Sequence, residues 1–285
     1  MIRLALAAIL LLVSGAPALA QPPVWVVHGK DGEVTLFGSV HVLPPGVDWE
    51  PPALKAALDR ADELWFEVPV DDEMQAKAVQ EAQSHAFLPR GQGLVRLLSA
   101  DGVKRLTDFA KAHDVPIDAI DRMQPWYADM LISAASYAGA QSSQGVEAVL
   151  AKAAPQARRK AFETVSQQIA IIADAPLTAQ LASLEETLKE AGDGQQEYDK
   201  LVRAWLRGDE TELYRHDVLS LKADSPILFR ALITDRNADW TRTLAGRLKD
   251  KGHVVAVVGA GHLLGPDGVP ARLRALGFKV DGPID

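Results

Sequence analysis

Two stretches decide the reading of this chain: Val254-Val255-Ala256-Val257-Val258-Gly259-Ala260-Gly261-His262 near its end, and Val34-Thr35-Leu36-Phe37-Gly38-Ser39-Val40-His41 near its start. Each is an apolar, β-branched run with the length of a buried strand, and each closes on Gly-x-x-His. Glycine allows backbone angles and close approaches that other residues resist, so each imidazole is delivered just past a strand end. In open α/β sheets that rim is where ligands collect. Histidines 41 and 262 can meet there only if both strands lie near each other in one sheet. A single copy of the motif is more often an ordinary surface or core histidine, and it is the duplication that favours a shared site. His28, His85, His113, His216 and His253 lack this setting and read as solvated or capping side chains.

Outward from these runs, Val24 to His28 and Glu33 to Phe37 flank Gly29-Lys30-Asp31-Gly32, whose Asp-Gly pair suits a hairpin. Pro51-Pro52 opens a helix, and Glu63 to Val68 reads as a further strand ended by Pro69. From about 71 to 250 the spacing is that of helices, with apolar residues three and four apart between proline and glycine breaks. One exception is Arg159 to Glu163, a short strand candidate that would deliver Glu163 as the earlier strand delivers Glu67. The last helix is expected over Pro266 to Leu276 and a closing strand at Phe278 to Val280. The expected fold class is α/β, with α+β as the alternative: a central mixed sheet built from about 21–70 and 252–285, and a large helical insertion over about 71–250.

Met1-Ile2-Arg3, the apolar run to Val13 and Ala18-Leu19-Ala20 read as an export signal over 1–20, cleaved near Ala20. The expected location is the periplasm or outside the cell, without stable membrane insertion, because the apolar run is short and broken by Gly15 and Pro17. Removing Arg3 from 30 basic and 38 acidic residues leaves a net charge of −9, which disfavours nucleic acid as a partner. With no cysteine in the chain, disulfides, thiolate metal sites and a cysteine nucleophile are excluded.

Glu67 is the sole charge in Leu64-Trp65-Phe66-Glu67-Val68. If buried, its carboxylate needs a cation, donors or a metal; the alternative is an edge carboxylate in water. His41, His262 and Glu67 form a set compatible with a divalent metal such as Mn, Co or Zn, although the His-Glu-x-x-His helix of common zinc proteases is absent. Arg236 could clamp a substrate or stabilise an oxyanion and Asn237 could orient a water, or both could belong to a salt-bridged helix face. Glu163 and Gln167 lie one turn apart and could face the same site, or serve the helix start near Thr164. No Gly-x-Ser-x-Gly elbow is present, which disfavours a serine hydrolase.

The mature chain resembles the TraB/PrgY/GumN group, which includes the Tiki-type metalloproteases. The resemblance rests on Leu36 to Pro44, Leu64 to Val68, Gln124-Pro125-Trp126, Gly145-Val146-Glu147, Phe162-Glu163-Thr164 with Gln167, Trp205 to Asp209, Arg236-Asn237 before Trp240, and Val257 to Gly265, in that order. It implies a metal-dependent peptidase site on His41, His262 and Glu67, with Arg236 and Asn237 carried toward the same cleft. Glu147 and Gln124 depart from the family's usual Asp and Lys, and neither is given a role. The expected function is an exported metal-dependent hydrolase acting on a peptide or other small substrate. The alternative, suggested by the more distant haem-binding ChaN type, is a periplasmic protein that binds haem, metal or peptide without turnover.

Overall fold

A computed structural model describes residues 21–137, 139–155 and 158–284 of the chain. The leader expected over 1–20 lies outside the described residues. Six strands, β1 (Val24–His28), β2 (Gly32–Ser39), β3 (Glu63–Phe66), β4 (Arg159–Ala161), β5 (Gly252–Gly259) and β6 (Lys279–Ile284), form one sheet in the order β4-β3-β5-β2-β1-β6. β2, β5, β3 and β4 are parallel, while β1 is antiparallel to both β2 and β6. The fold is α/β with a mixed sheet drawn from both chain ends.

The register explains the site. Ser39 lies opposite Gly259, Val257 opposite Phe66, and Phe66 opposite Ala161. All four parallel strands therefore end on one rim, and the residues just beyond them are His41, His262, Glu67 and Glu163. The central strands read as nearly unbroken apolar runs because both their faces are covered; Leu36, Phe37 and Val254 to Val258 are all buried.

The insertion is not wholly helical, since β4 extends the sheet beside β3 as the Arg159 to Glu163 pattern suggested. Its helices Ala100–Ala112, Pro125–Ala135 and Leu177–Glu190 enclose a second core around Leu94, Leu106, Ile132 and Leu184. The helix Gly194–Leu206 ties the insertion to β2: Trp205 packs with Phe37 and Trp49, and its indole N–H donates to the Gly38 carbonyl at 2.7 Å. Near the end of the insertion the helical spacing resolves into Pro226–Phe229, a wide π turn at Arg230–Asp235, and Arg236–Arg247. A second π turn, Tyr214–Leu219, had no expectation at all. A helical stripe in sequence cannot distinguish these turns, because one extra residue per turn shifts the apolar face only locally. Among the described residues no helix is long and apolar enough to cross a membrane.

Candidate functional site

The two Gly-x-x-His loops touch. A Cβ placed on Gly38 would lie 3.1 Å from the Ala260 Cα, and one on Gly259 would lie 3.3 Å from Glu67 Oε1, 3.4 Å from His41 Nε2 and 3.7 Å from His262 Cδ2. Histidines from opposite chain ends thus converge with Glu67 around Gly259, where a side chain would press on Glu67 and touch both rings.

Around Arg236 the polar groups form a closed network. Glu67 Oε1 accepts the Gly259 N–H at 2.7 Å, and Oε2 accepts from Arg236 Nη2 at 2.6 Å and Gln168 Nε2 at 3.1 Å. Arg236 Nε and Nη2 fork onto the carboxylate of Glu163, the residue beyond β4, at 2.9 and 3.0 Å. Its Nη1 reaches the Leu232 carbonyl at 3.2 Å and His262 Nε2 at 3.0 Å. A guanidinium has five N–H groups, and all five are engaged by the protein. Trp240 lies under the guanidinium, 4.6 Å from its ring centroid, and donates its indole N–H to Glu163 at 2.9 Å. The oxyanion role expected of Arg236 is therefore corrected: no N–H is left for a substrate, and Arg236 is a positioning residue.

Asn237 is likewise a positioning residue and not a substrate or water contact. It is fully buried, and its Nδ2 donates to the carbonyls of His262 and Asp267. Oδ1 is therefore the acceptor for His262 Nδ1–H, at 2.6 Å. That assignment fixes the tautomer: His262 Nε2 carries the lone pair that accepts from Arg236. Burial, with the Arg236 charge beside it, pushes His262 down to about 3, so it is neutral at ordinary pH. Burial opposes the ionised form of Glu67 as well, but the neighbouring cations and the Gly259 N–H outweigh it and hold the carboxyl well below its usual range. Because His262 is neutral, Arg236 and His41 are the cations that lower the Glu67 carboxyl at pH 7.

His41 is held differently. The loop carrying it rests on Gly145, where a Cβ would strike the His41 carbonyl. The helix Val146–Ala153 begins there, and its first turn places Glu147 against the imidazole. Glu147 Oε1 accepts from His41 Nδ1 at 2.8 Å and from the Ser39 hydroxyl. Its carboxylate pushes His41 up to about 10. The side chain is 63 % exposed through the cavity, so water screens part of that pull, but the direction stands: His41 is protonated at neutral pH.

Both environments open on one cavity of about 840 Å³. His41, Glu67, Arg236, His262 and Asp217 form its polar floor, and Val79, Trp126, Met130, Ile169, Ile172 and Leu232 its apolar walls. Of the remaining candidates, Glu163 joins the network through Arg236, whereas Gln167 does not: its side chain closes a capping box with Thr164, and the neighbouring Gln168 reaches Glu67. Sequence reasoning left Glu147 without a role and missed Gln168, Ser39 and Asp217. Glu147 had a signal, the Gly145-Val146-Glu147 landmark; Asp217 had none.

The metal expected on His41, His262 and Glu67 does not fit this arrangement. The His262 lone pair is directed at Arg236, Glu67 Oε2 is bound to the same guanidinium while Oε1, the oxygen nearer His262, accepts the Gly259 N–H, and Glu147 holds His41 Nδ1. Among the described residues no three His, Cys, Asp or Glu side chains are set to hold an ion.

The TraB/PrgY/gumN family model matches residues 23–282, and the chain belongs to that family. No curated protein and no solved structure gives a match.

Proposed function

We propose that this chain is an exported hydrolase of peptides or related acyl compounds that carry a large apolar group. The observation that supports this most is the oriented His41–Glu147 pair at the floor of the apolar cavity. Glu147 holds Nδ1 and leaves Nε2, beside Gly259 on a ring that lines the cavity, as the nitrogen for a substrate, the arrangement by which a carboxylate orients a proton-transfer imidazole. As an imidazolium, His41 donates a proton to the leaving atom of the scissile bond. Glu67, Arg236, Glu163, His262 and Asn237 form the rigid wall behind it, and the apolar walls take the substrate side chain and limit water.

No step is routed through a metal. The test is turnover of apolar peptide amides and esters by purified protein, with metal content measured in the same preparation. Chelation is expected to leave activity unchanged, and His41→Ala to remove it. Loss of activity on chelation, restored by Mn, Co or Zn, would mean that Arg236 leaves His262 in the working enzyme and that this reading of the floor is wrong.

A second reading, ligand binding without turnover, is favoured by one observation: the Arg236 network is already satisfied by protein groups. An absorbance scan for haem, and recovery of an intact apolar ligand from the protein with no product, would support it.

A further inference from the structure

On the hydrolase reading the attacking water still needs a base. Glu67 is occupied by three donors, the His262 lone pair by Arg236, and Glu147, whose Oε1 holds His41 and Ser39, does not line the large cavity. Asp217 is the remaining carboxyl on the cavity floor. It projects from the wide turn Tyr214–Leu219 and lines both the 840 Å³ cavity and an adjoining polar one of about 260 Å³, so it stands where the two meet. Its Oδ2 lies so close to the second Gly-x-x-His loop that a Cβ on Gly261 would approach within 2.5 Å; burial raises its carboxyl, and the His41 charge and the Gly261 backbone oppose that rise. That contact gives the second glycine of the loop a reason that the strand pattern alone does not. The carboxyl lines the same cavity as His41.

We propose that Asp217 is the general base of the reaction, an inference that rests on the hydrolase reading. Its carboxylate takes one proton from water as the water oxygen bonds to the acyl carbon. The carbon–nitrogen or carbon–oxygen bond then breaks, and the leaving atom receives its proton from His41. Asp217 returns its proton to solvent and His41 regains one, so one water is consumed per bond cleaved. Two groups whose surroundings differ thus divide the acid and base roles.

The experiment is steady-state kinetics of the full chain on an apolar peptide p-nitroanilide and the matching ester, with His41→Ala run in parallel. Asp217→Asn should lower kcat by about 100-fold or more with KM nearly unchanged, the scale of a lost general base. Asp217→Ala should recover part of the rate when formate or azide is added, which a purely structural carboxylate would not allow. An unchanged kcat, or a raised KM at full kcat, in Asp217→Asn overturns the assignment while His41→Ala still reports on the hydrolase reading. A wild-type chain inactive on both substrates overturns that reading, and the base with it. If Asp217→Asn fails to fold, Gly261→Ala carries the test, since it displaces the carboxyl without removing it. The same loss of kcat is expected there, and full kcat overturns the proposal.

Discussion

His41 and His262 leave adjacent parallel strands through the same Gly-x-x-His turn, yet one is protonated and open to the cavity while the other is buried and neutral. The turn explains where the rings are delivered. What each ring can do is decided by what stands behind it: Glu147 from the start of a helix for His41, and Asn237 with Arg236 from the last long helix for His262. A repeated motif therefore need not be a repeated function. Here one copy presents a proton to the cavity and the other closes a structural network.

That contrast is most easily broken at Arg236. Arg236→Met keeps the length but leaves Glu67 and Glu163 buried without their cation, and a loss of about 3–5 kcal/mol in urea unfolding is expected. Arg236→Lys should recover only part of this, because an ammonium cannot serve Glu67, Glu163 and His262 in one plane. A Met variant within about 1 kcal/mol of wild type would show that the network is not closed in solution.

Asn237→Leu tests the support of His262 alone. It strands the Nδ1–H and two carbonyls, at a cost of about 1–3 kcal/mol read from thermal or urea unfolding. No change would imply that water replaces the amide, which its complete burial argues against.

The pH dependence of the two rings should run in opposite directions. The folded-state value of His41 is raised, so its contribution is complete below the unfolded value of 6.5 and is lost as pH rises toward about 10. His262 is lowered to about 3, so below 6.5 the unfolded chain takes up a proton that the folded one refuses, and stability falls with pH across that window. NMR titration of the two imidazoles checks both limbs. Two ordinary titrations near 6.5 would erase the distinction.

The smallest stability effect is expected at His41 itself. His41→Ala should change stability by no more than about 1–2 kcal/mol, because the ring is largely exposed, while turnover is lost. A variant that loses clearly more than about 2 kcal/mol yet turns over at the wild-type rate while folded would reverse the roles assigned to the two histidines.

Much of the frame was legible in sequence because it depends on local pattern. The Asp-Gly hairpin, the apolar runs of β2, β3 and β5, and the helices Val146–Ala153 and Val165–Ala173 follow from periodicity and turn chemistry. The convergence of His41, His262 and Glu67 was inferable because two strands ending alike share a rim if they run parallel in one sheet, as β2 and β5 do. Gln167 and Gln168 show where that inference stops. They are neighbours on one helix start, and only the rotation of that helix against β3 decides which caps Thr164 and which reaches Glu67.

The sequence by itself determined the strands, the glycines and the residue types delivered to the rim, because backbone preference and hydrophobic spacing are properties of short segments. Only the tertiary structure decided the chemistry of those residues. Whether an imidazole is charged, whether a guanidinium has a donor to spare and whether a carboxylate such as Asp217 faces a cavity depend on burial and on partners far away in sequence. Arg236 contacts Glu67, Glu163 and His262, and each arrives on a different strand end.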